Sequence, residues 1–184
     1  MGTGSIIALV VVGLVVIVFI GIYNRLVVLR NRVQAAWAQI DVQLKRRTDL
    51  VPNLVETVKG YVQHERGTLE AVTAARTAVL KAGSVAEQAK ANNALTEALK
   101  SVFAVAEAYP DLKANQNFLM LQEELAGIEN KIAYARQYYN DSVMAFNQAQ
   151  QVFPANLIAG MFGFRPHEYF EIPESDRGPV HVKF

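Results

Sequence analysis

The chain has 184 residues, a formal net charge of +1 and no cysteine, which fits one domain plus an appendage and excludes disulfides, thiolate nucleophiles and cysteine-based zinc sites. Six basic residues and one acid lie between positions 25 and 47, and acids outnumber basic residues in the rest of the chain. A nucleic-acid-binding protein needs a basic face to neutralise phosphates, so we expect no nucleic-acid partner.

An unbroken apolar run extends from Ile6 to Ile22, and no charged side chain precedes Arg25. Crossing the hydrocarbon of a bilayer takes about 20 helical residues, and a lone spanning segment has to be a helix. We therefore predict a short N-terminus over residues 1–5 and a transmembrane helix over residues 6–23. The predicted anchor residues are Ile6, Leu9, Leu14, Phe19, Ile22 and Tyr23.

A cleaved signal peptide is the alternative for this segment. A signal peptide needs a basic start and a small-x-small cleavage site after the apolar run. Residues 1–5 carry no basic side chain, and the run is followed by Tyr23, Asn24 and Arg25 instead of an Ala-x-Ala. We therefore favour a retained anchor. Arginines that follow a span directly favour the cytoplasmic side, so we expect residues 1–5 outside and the C-terminal domain in the cytoplasm.

Helical spacing of apolar residues predicts a bundle domain over residues 24–153 and a tail over residues 154–184. The predicted helices span about 24–81, 84–109 and 115–151. Pro52 lies inside the first and predicts a bend, because proline lacks an amide donor and clashes with the preceding turn. Whether the helix continues through Pro52 stays open at this stage.

The predicted helix 115–151 has the most regular apolar stripe, with steps of three and four residues that are typical of a coiled-coil-like seam. With the first helix counted as two segments around Pro52, the pattern predicts an all-α fold: an antiparallel four-helix bundle behind one transmembrane helix, ending in a short irregular tail. Residues 180–184 could form a short strand. The predicted stripe consists of Phe118, Leu121, Leu125, Ile128, Ile132, Ala135, Tyr139, Ser142, Phe146 and Ala149.

Motifs of catalysis and metal binding are not found in this sequence. His64 and Glu65 begin a pattern like that of zinc proteases, but residue 68 is a threonine, and no Glu-x-x-His pair occurs. The chain also lacks a nucleophile elbow and a phosphate-binding loop. We predict no catalytic residue, metal, cofactor or small-molecule substrate, and no enzymatic activity.

Two segments are candidate interaction surfaces. The first is basic, and a solvated face with local ion pairs is favoured over a recognition patch; its residues are Arg46, Arg47, Asp49, Pro52 and Asn53. The second is apolar without a clean period, and packing across the end of the bundle is favoured over a subunit interface or a membrane-surface contact. The residues of this apolar tail are Phe153, Leu157, Ile158, Met161, Phe162 and Phe164.

Several stretches resemble the LemA family: YNRLVVLRNRVQAAWAQIDVQLKRRTDLVPNLVETVKGYVQHE at residues 23–65, Ala75-Arg76, the region of Tyr139-Asn140, and FPANLIAGMFGFRPHEYFE at residues 153–171. The resemblance covers almost the whole chain. It implies a bacterial membrane protein with one N-terminal span and an antiparallel four-helix bundle, and it carries over no catalytic residues. A similar protein of magnetosome-forming bacteria is linked to membrane organelle formation.

These observations favour a single-pass scaffold or interaction protein of the bacterial inner membrane, which forms a homo-oligomer or binds other membrane-associated proteins. An accessory subunit that couples the membrane to a signalling or export system is the alternative. An enzyme at the membrane surface, using His64, Glu65 or the basic patch, is the least favoured hypothesis.

Overall fold

The computed structural model describes residues 2–62 and 65–170. Within these ranges the chain forms six helices and no strand, so the predicted all-α fold is confirmed. The strand predicted over residues 180–184 lies outside the described residues. The helices are α1 (Thr3–Lys59), α2 (Arg66–Lys81), α3 (Val85–Ala106), α4 (Pro110–Lys113), α5 (Gln116–Gln151) and α6 (Ala155–Met161).

The helices divide between two compact units. Unit 1 consists of residues 1–37 and 138–167, and it contains the first part of α1, the last part of α5 and all of α6. In the described part of the chain, unit 2 consists of residues 38–62, 65–137 and 168–170, and it contains the rest of α1 and α5 together with α2, α3 and α4.

In unit 1, α1 and α5 run antiparallel. Leu26 packs with Ala149, and farther along α1 the ring of Trp37 lies 5.4 Å from that of Tyr139. Residues later in α1 thus contact residues earlier in α5. The predicted stripe provides the α5 side of this interface, because Tyr139, Ser142, Phe146 and Ala149 are buried here at helical spacing. On the α1 side, Leu26, Val33 and Ala36 are buried at helical spacing as well.

The N-terminal part of α1 is exposed and strongly apolar. An 18-residue window has a mean hydropathy of 3.2 and is not buried at all, so by length and composition this helix could cross a membrane. Ile6, Leu9 and Leu14 are exposed, whereas Phe19 and Tyr23 pack partly against the cluster around Leu26. The predicted anchor residues therefore include an outer, exposed set and an inner set that joins unit 1.

In unit 2, one apolar core joins four long helices. It draws Leu54 from α1, Val72 from α2, Leu99 from α3 and Leu125 from α5, with the short α4 adding Leu112. The side-chain amide of Asn115, just before α5, donates through Nδ2 to the hydroxyl of Tyr61 just after α1, over 2.8 Å. The beginning of α5 therefore lies beside the end of α1, which makes these helices antiparallel.

The first predicted helix is divided into two helices in the structure. The sequence predicts one helix over residues 24–81, bent at Pro52, but α1 continues through Pro52 and ends at Lys59, and α2 begins at Arg66. Gly60 follows α1 directly, and glycine favours a helix interior less than any residue except proline. Glycine rather than proline therefore separates the two helices.

A side chain compensates for the missing amide of Pro52. In an uninterrupted helix the carbonyl of Thr48 would accept from the amide of residue 52, which a proline does not have. Instead, Nε of Arg76 on α2 donates to the carbonyl oxygen of Thr48 over 2.8 Å. This hydrogen bond satisfies a backbone acceptor in a residue that is almost fully buried, and it ties α2 to α1.

The predicted start of the next helix is confirmed. The hydroxyl of Ser84 accepts from the backbone amide of Glu87, and the carboxylate of Glu87 accepts from that of Ser84, which completes a capping box at the start of α3. The backbone amides of Gly83 and Ser84 both donate to the Glu87 carboxylate, and these hydrogen bonds hold the pKa of the Glu87 carboxyl below its usual value. After α3, Pro110 opens the short α4, which the sequence did not predict.

We predict that Arg76→Met costs about 1–3 kcal/mol of unfolding free energy, the range expected when a buried acceptor loses its donor. In a Pro52→Ala background the same change should cost clearly less, because the alanine supplies a backbone amide that can donate to the carbonyl of Thr48. Denaturation of the full-length protein in detergent, followed by circular dichroism, measures both. Costs that add within about 0.5 kcal/mol would show that the two groups are not coupled.

Candidate functional site

The most polar buried site of unit 2, within the described residues, is centred on Arg47, whose side chain is only 3% exposed. Its Nη1 donates to Oδ1 of Asn92 and to Oγ1 of Thr96, each over 2.9 Å. Its Nη2 lies 2.7 Å from Oε2 of Glu129. One guanidinium thus bridges α1 to α3 and to α5.

The helical register of α1 directs Arg47 into the core. Ile40 and Leu44 precede it, and Val51 follows it, at steps of four, three and four residues on the buried face. Asn92 likewise continues the buried positions of α3, three residues before Leu95. Side chains at these positions have to point inward whatever their chemistry, so polar residues there must find partners inside the bundle.

Burial lowers the pKa of the Arg47 guanidinium, and the charge of Glu129 opposes that shift. A guanidinium nevertheless stays protonated at neutral pH. Its planar fork suits simultaneous bonds to several acceptors, which a lysine ammonium could not match. Chemically, this arrangement can position three helices.

The structure divides the predicted basic patch between the core and the surface. Arg47 is buried, so it is not part of an exposed recognition surface. Its neighbour Arg46 is half-exposed and forms an ion pair of 2.6 Å with Glu124, whereas Asp49, Pro52 and Asn53 are exposed. Sequence reasoning missed the buried function of Arg47 because arginine is normally a surface residue, although its register was visible.

The predicted apolar tail is also divided. Ile158 on α6 is buried against Leu26, and Phe164 is half-buried with its ring 6.0 Å from Tyr23. The Arg30 guanidinium carbon lies 5.3 Å from the centre of the Phe164 ring. Packing within unit 1 therefore buries Ile158 and half-buries Phe164. The other four tail residues are exposed: Phe153, Leu157, Met161 and Phe162.

The chain after α6 is held to α5 through His167. Its amide donates to Oδ1 of Asn147 and its carbonyl accepts from Nδ2 of the same residue, each over 2.9 Å. Burial and the nearby Arg30 charge lower the pKa of His167. This pair of hydrogen bonds to a largely buried asparagine fixes the end of the tail on unit 1, so α6 has a defined place there.

Unit 2 also has an open groove of about 590 Å³ beside α2. Its walls combine apolar side chains with Lys59, Arg66 and Glu70. In the described part of the chain, no three histidines, cysteines, aspartates or glutamates come together in a way that could hold a metal ion. His64 and His181 lie outside the described residues, so their expected lack of a metal role stays a prediction.

Arg46 and Arg47 provide a matched pair of tests, because each is paired with a glutamate on α5. We predict that Arg47→Ala lowers the unfolding free energy by about 3 kcal/mol, since removing one partner of a buried pair costs about 3–5 kcal/mol and Glu129 is partly exposed. Arg46→Ala should cost no more than about 1 kcal/mol, as for exposed pairs. Equal losses in urea denaturation of the full-length protein would contradict the assignment.

The comparisons with known proteins agree with this architecture. The chain is similar to magnetosome protein MamQ 2 of Paramagnetospirillum magneticum, at 25% identity over 98% of this chain and 78% of the relative. It is also similar to protein LemA of Metamycoplasma hominis, at 27% identity over 92% of this chain and 78% of the relative. The LemA family model matches residues 36–184, which is most of the chain. With its apolar N-terminal helix and its helical units, this chain belongs to the LemA family.

Proposed function

We propose that this chain is a membrane-anchored helical scaffold that assembles with itself or with other membrane-associated proteins, and that it is not an enzyme. The observation that carries the proposal is the continuity of α1. The same helix has an exposed apolar segment at its N-terminal end and a buried stripe from Leu26 onward. A helix built in this way fixes a folded domain to a bilayer.

The inner membrane of a bacterium is the proposed location, with a single span, residues 1–5 outside and the bundle in the cytoplasm. Arg25, Arg30 and Arg32 follow the apolar segment, and no acid occurs before Asp41. Positive charge next to a span favours retention on the cytoplasmic side. The similarity to a magnetosome protein and to protein LemA supports a role at a membrane.

The exposed part of the basic patch is the proposed contact surface of the scaffold in unit 2. Arg46, Asp49, Pro52 and Asn53 lie in α1, and all four side chains are exposed to solvent, where another protein can reach them. The buried side chain of Arg47 stabilises the helix that carries this surface, because it joins α1 to α3 and α5.

The first experiment is native mass spectrometry of the full-length protein, extracted gently from its own membrane. We expect a defined multiple of 20.3 kDa or a complex with a second polypeptide. A bare monomer at cellular concentration would contradict the scaffold. In an assembled sample, Asp49→Arg combined with Asn53→Arg should reduce the complex several-fold, whereas Lys131→Glu on the exposed side of α5 should not.

A second candidate function is an accessory subunit that passes a state across the membrane to a signalling or export system. The specific observation in its favour is that α1 has no break between its apolar segment and Lys59. An uninterrupted helix transmits rotation and displacement along its axis, whereas a flexible joint does not.

For this second function, the assay is complementation of a strain from which the gene has been deleted. We predict that the intact gene restores the wild-type phenotype and that a gene with two glycines inserted after Asn24 does not. The insertion turns the flanking helices by about 200° relative to each other, at 3.6 residues per turn. The same insertion after Gly2, before the apolar segment, is the control and should leave the phenotype intact. Full complementation by the variant with two glycines after Asn24, present in the membrane at the same amount as the intact protein, would exclude mechanical coupling.

A further inference from the structure

The helix α6 has two apolar faces, one buried and one exposed. Ala155, Ile158 and Ala159 are buried on one face, and Leu157 and Met161, one turn apart, lie on the other with 58% and 73% exposure. The helix is flanked by two exposed phenylalanines, Phe153 and Phe162, at 79% and 51%. Neighbouring exposed apolar side chains of this size mark a surface that contacts a partner or a membrane. Unit 1 covers only one side of α6.

The exposed side of α6 is continuous with the end of the apolar segment of α1. The ring of Phe162 lies 4.8 Å from that of Tyr23 and 6.0 Å from that of Phe19. Phe19 is one turn before the end of the apolar run at Ile22, and Tyr23 follows that end. Phe162 therefore lies beside the end of the apolar run of α1. In a spanning helix, this end is where the hydrocarbon of a bilayer meets its polar headgroups.

Positive charges border α6 at both ends. Arg25 lines a small recess of about 120 Å³ together with Phe153, Pro154 and Ala155, at the beginning of α6. Arg165 follows Phe164 and is exposed. In the sequence of unit 1, the charged side chains are four arginines and one acid, Asp141. Such a composition suits anionic lipid headgroups, since each basic residue near an anionic surface adds about 1 kcal/mol of attraction.

We propose that α6 is a second membrane contact of this protein. Its exposed face, formed by Phe153, Leu157, Met161 and Phe162, lies in the boundary between headgroups and acyl chains of the bilayer that α1 crosses. This inference rests on the membrane anchoring proposed above. Interfacial segments bury their apolar face about 5–10 Å into this boundary, with basic side chains directed to the headgroups. The bilayer thus covers the face that unit 1 leaves open.

The test uses the absence of native cysteine. Full-length single-cysteine variants Leu157→Cys and Met161→Cys receive a nitroxide label and are reconstituted in vesicles of phosphatidylcholine and phosphatidylglycerol. Collision rates with oxygen, which concentrates in lipid, and with a water-soluble nickel chelate measure the depth of each label. Leu9→Cys in the apolar segment is the reference inside the bilayer. Tyr138→Cys is the reference in water, because it is an exposed residue of unit 1 on α5.

We expect the collision rate with oxygen to exceed that with the nickel chelate several-fold for labels at positions 157, 161 and 9. For the label at position 138 we expect the collision rate with the nickel chelate to be the higher one. Labels at 157 and 161 that behave like the label at 138, while position 9 stays in lipid, would overturn the second contact and leave the anchor intact. A water-like label at position 9 would instead refute the anchoring itself. Labels at 157 and 161 shielded from both reagents, with spin–spin broadening between copies, would overturn the lipid contact in favour of a subunit interface.

Discussion

Hydrogen bonding along the backbone of α1 is the constraint on which the rest of the protein depends. In a lipid environment every amide and carbonyl of a spanning helix has to be satisfied within that helix. In unit 2, one face of the same helix is buried against other helices. Pro52 removes one donor from the series, at a point where the acceptor is buried. A side chain from α2 replaces that donor, so continuity of α1 depends on tertiary structure as well as on local preference.

Much of the fold could be predicted because burial follows helical steps. Of the predicted stripe in α5, Leu121 and Ala135 are half-buried and the other eight residues are buried, as the spacing predicts. The end of α1 at Lys59 was not predicted, since the weak preference of Gly60 for helix is outweighed in other helices by packing. The effect of Pro52 also depended on Arg76, which is far away in the sequence and was therefore not visible from local pattern.

The candidate sites were harder to predict, because residue type and register pointed in opposite directions at Arg47. The charge of Arg47 predicts a side chain exposed to solvent. Its position between Leu44 and Val51 on the buried face of α1 predicts a side chain in the core. Register prevailed because a helix cannot turn one residue outward without turning its neighbours. The apolar tail presented the reverse problem: composition predicted burial for all six residues, but α6 has only one side against unit 1, which leaves Leu157 and Met161 outside.

The packing of Leu26 against α5 and α6 has a consequence for the apolar segment that precedes it. Because Leu26 is fixed within unit 1 and α1 is continuous, each residue of the segment has a set azimuth about the helix axis, at about 100° per residue. Gly13 and Gly21 therefore occupy directions that are fixed relative to α6. In the membrane proposed for this protein, a neighbouring protein would contact one defined side of the apolar segment. Deletion of a single residue near Asn24 would turn another side of the segment toward that neighbour, and the length and hydropathy of the segment would stay almost unchanged.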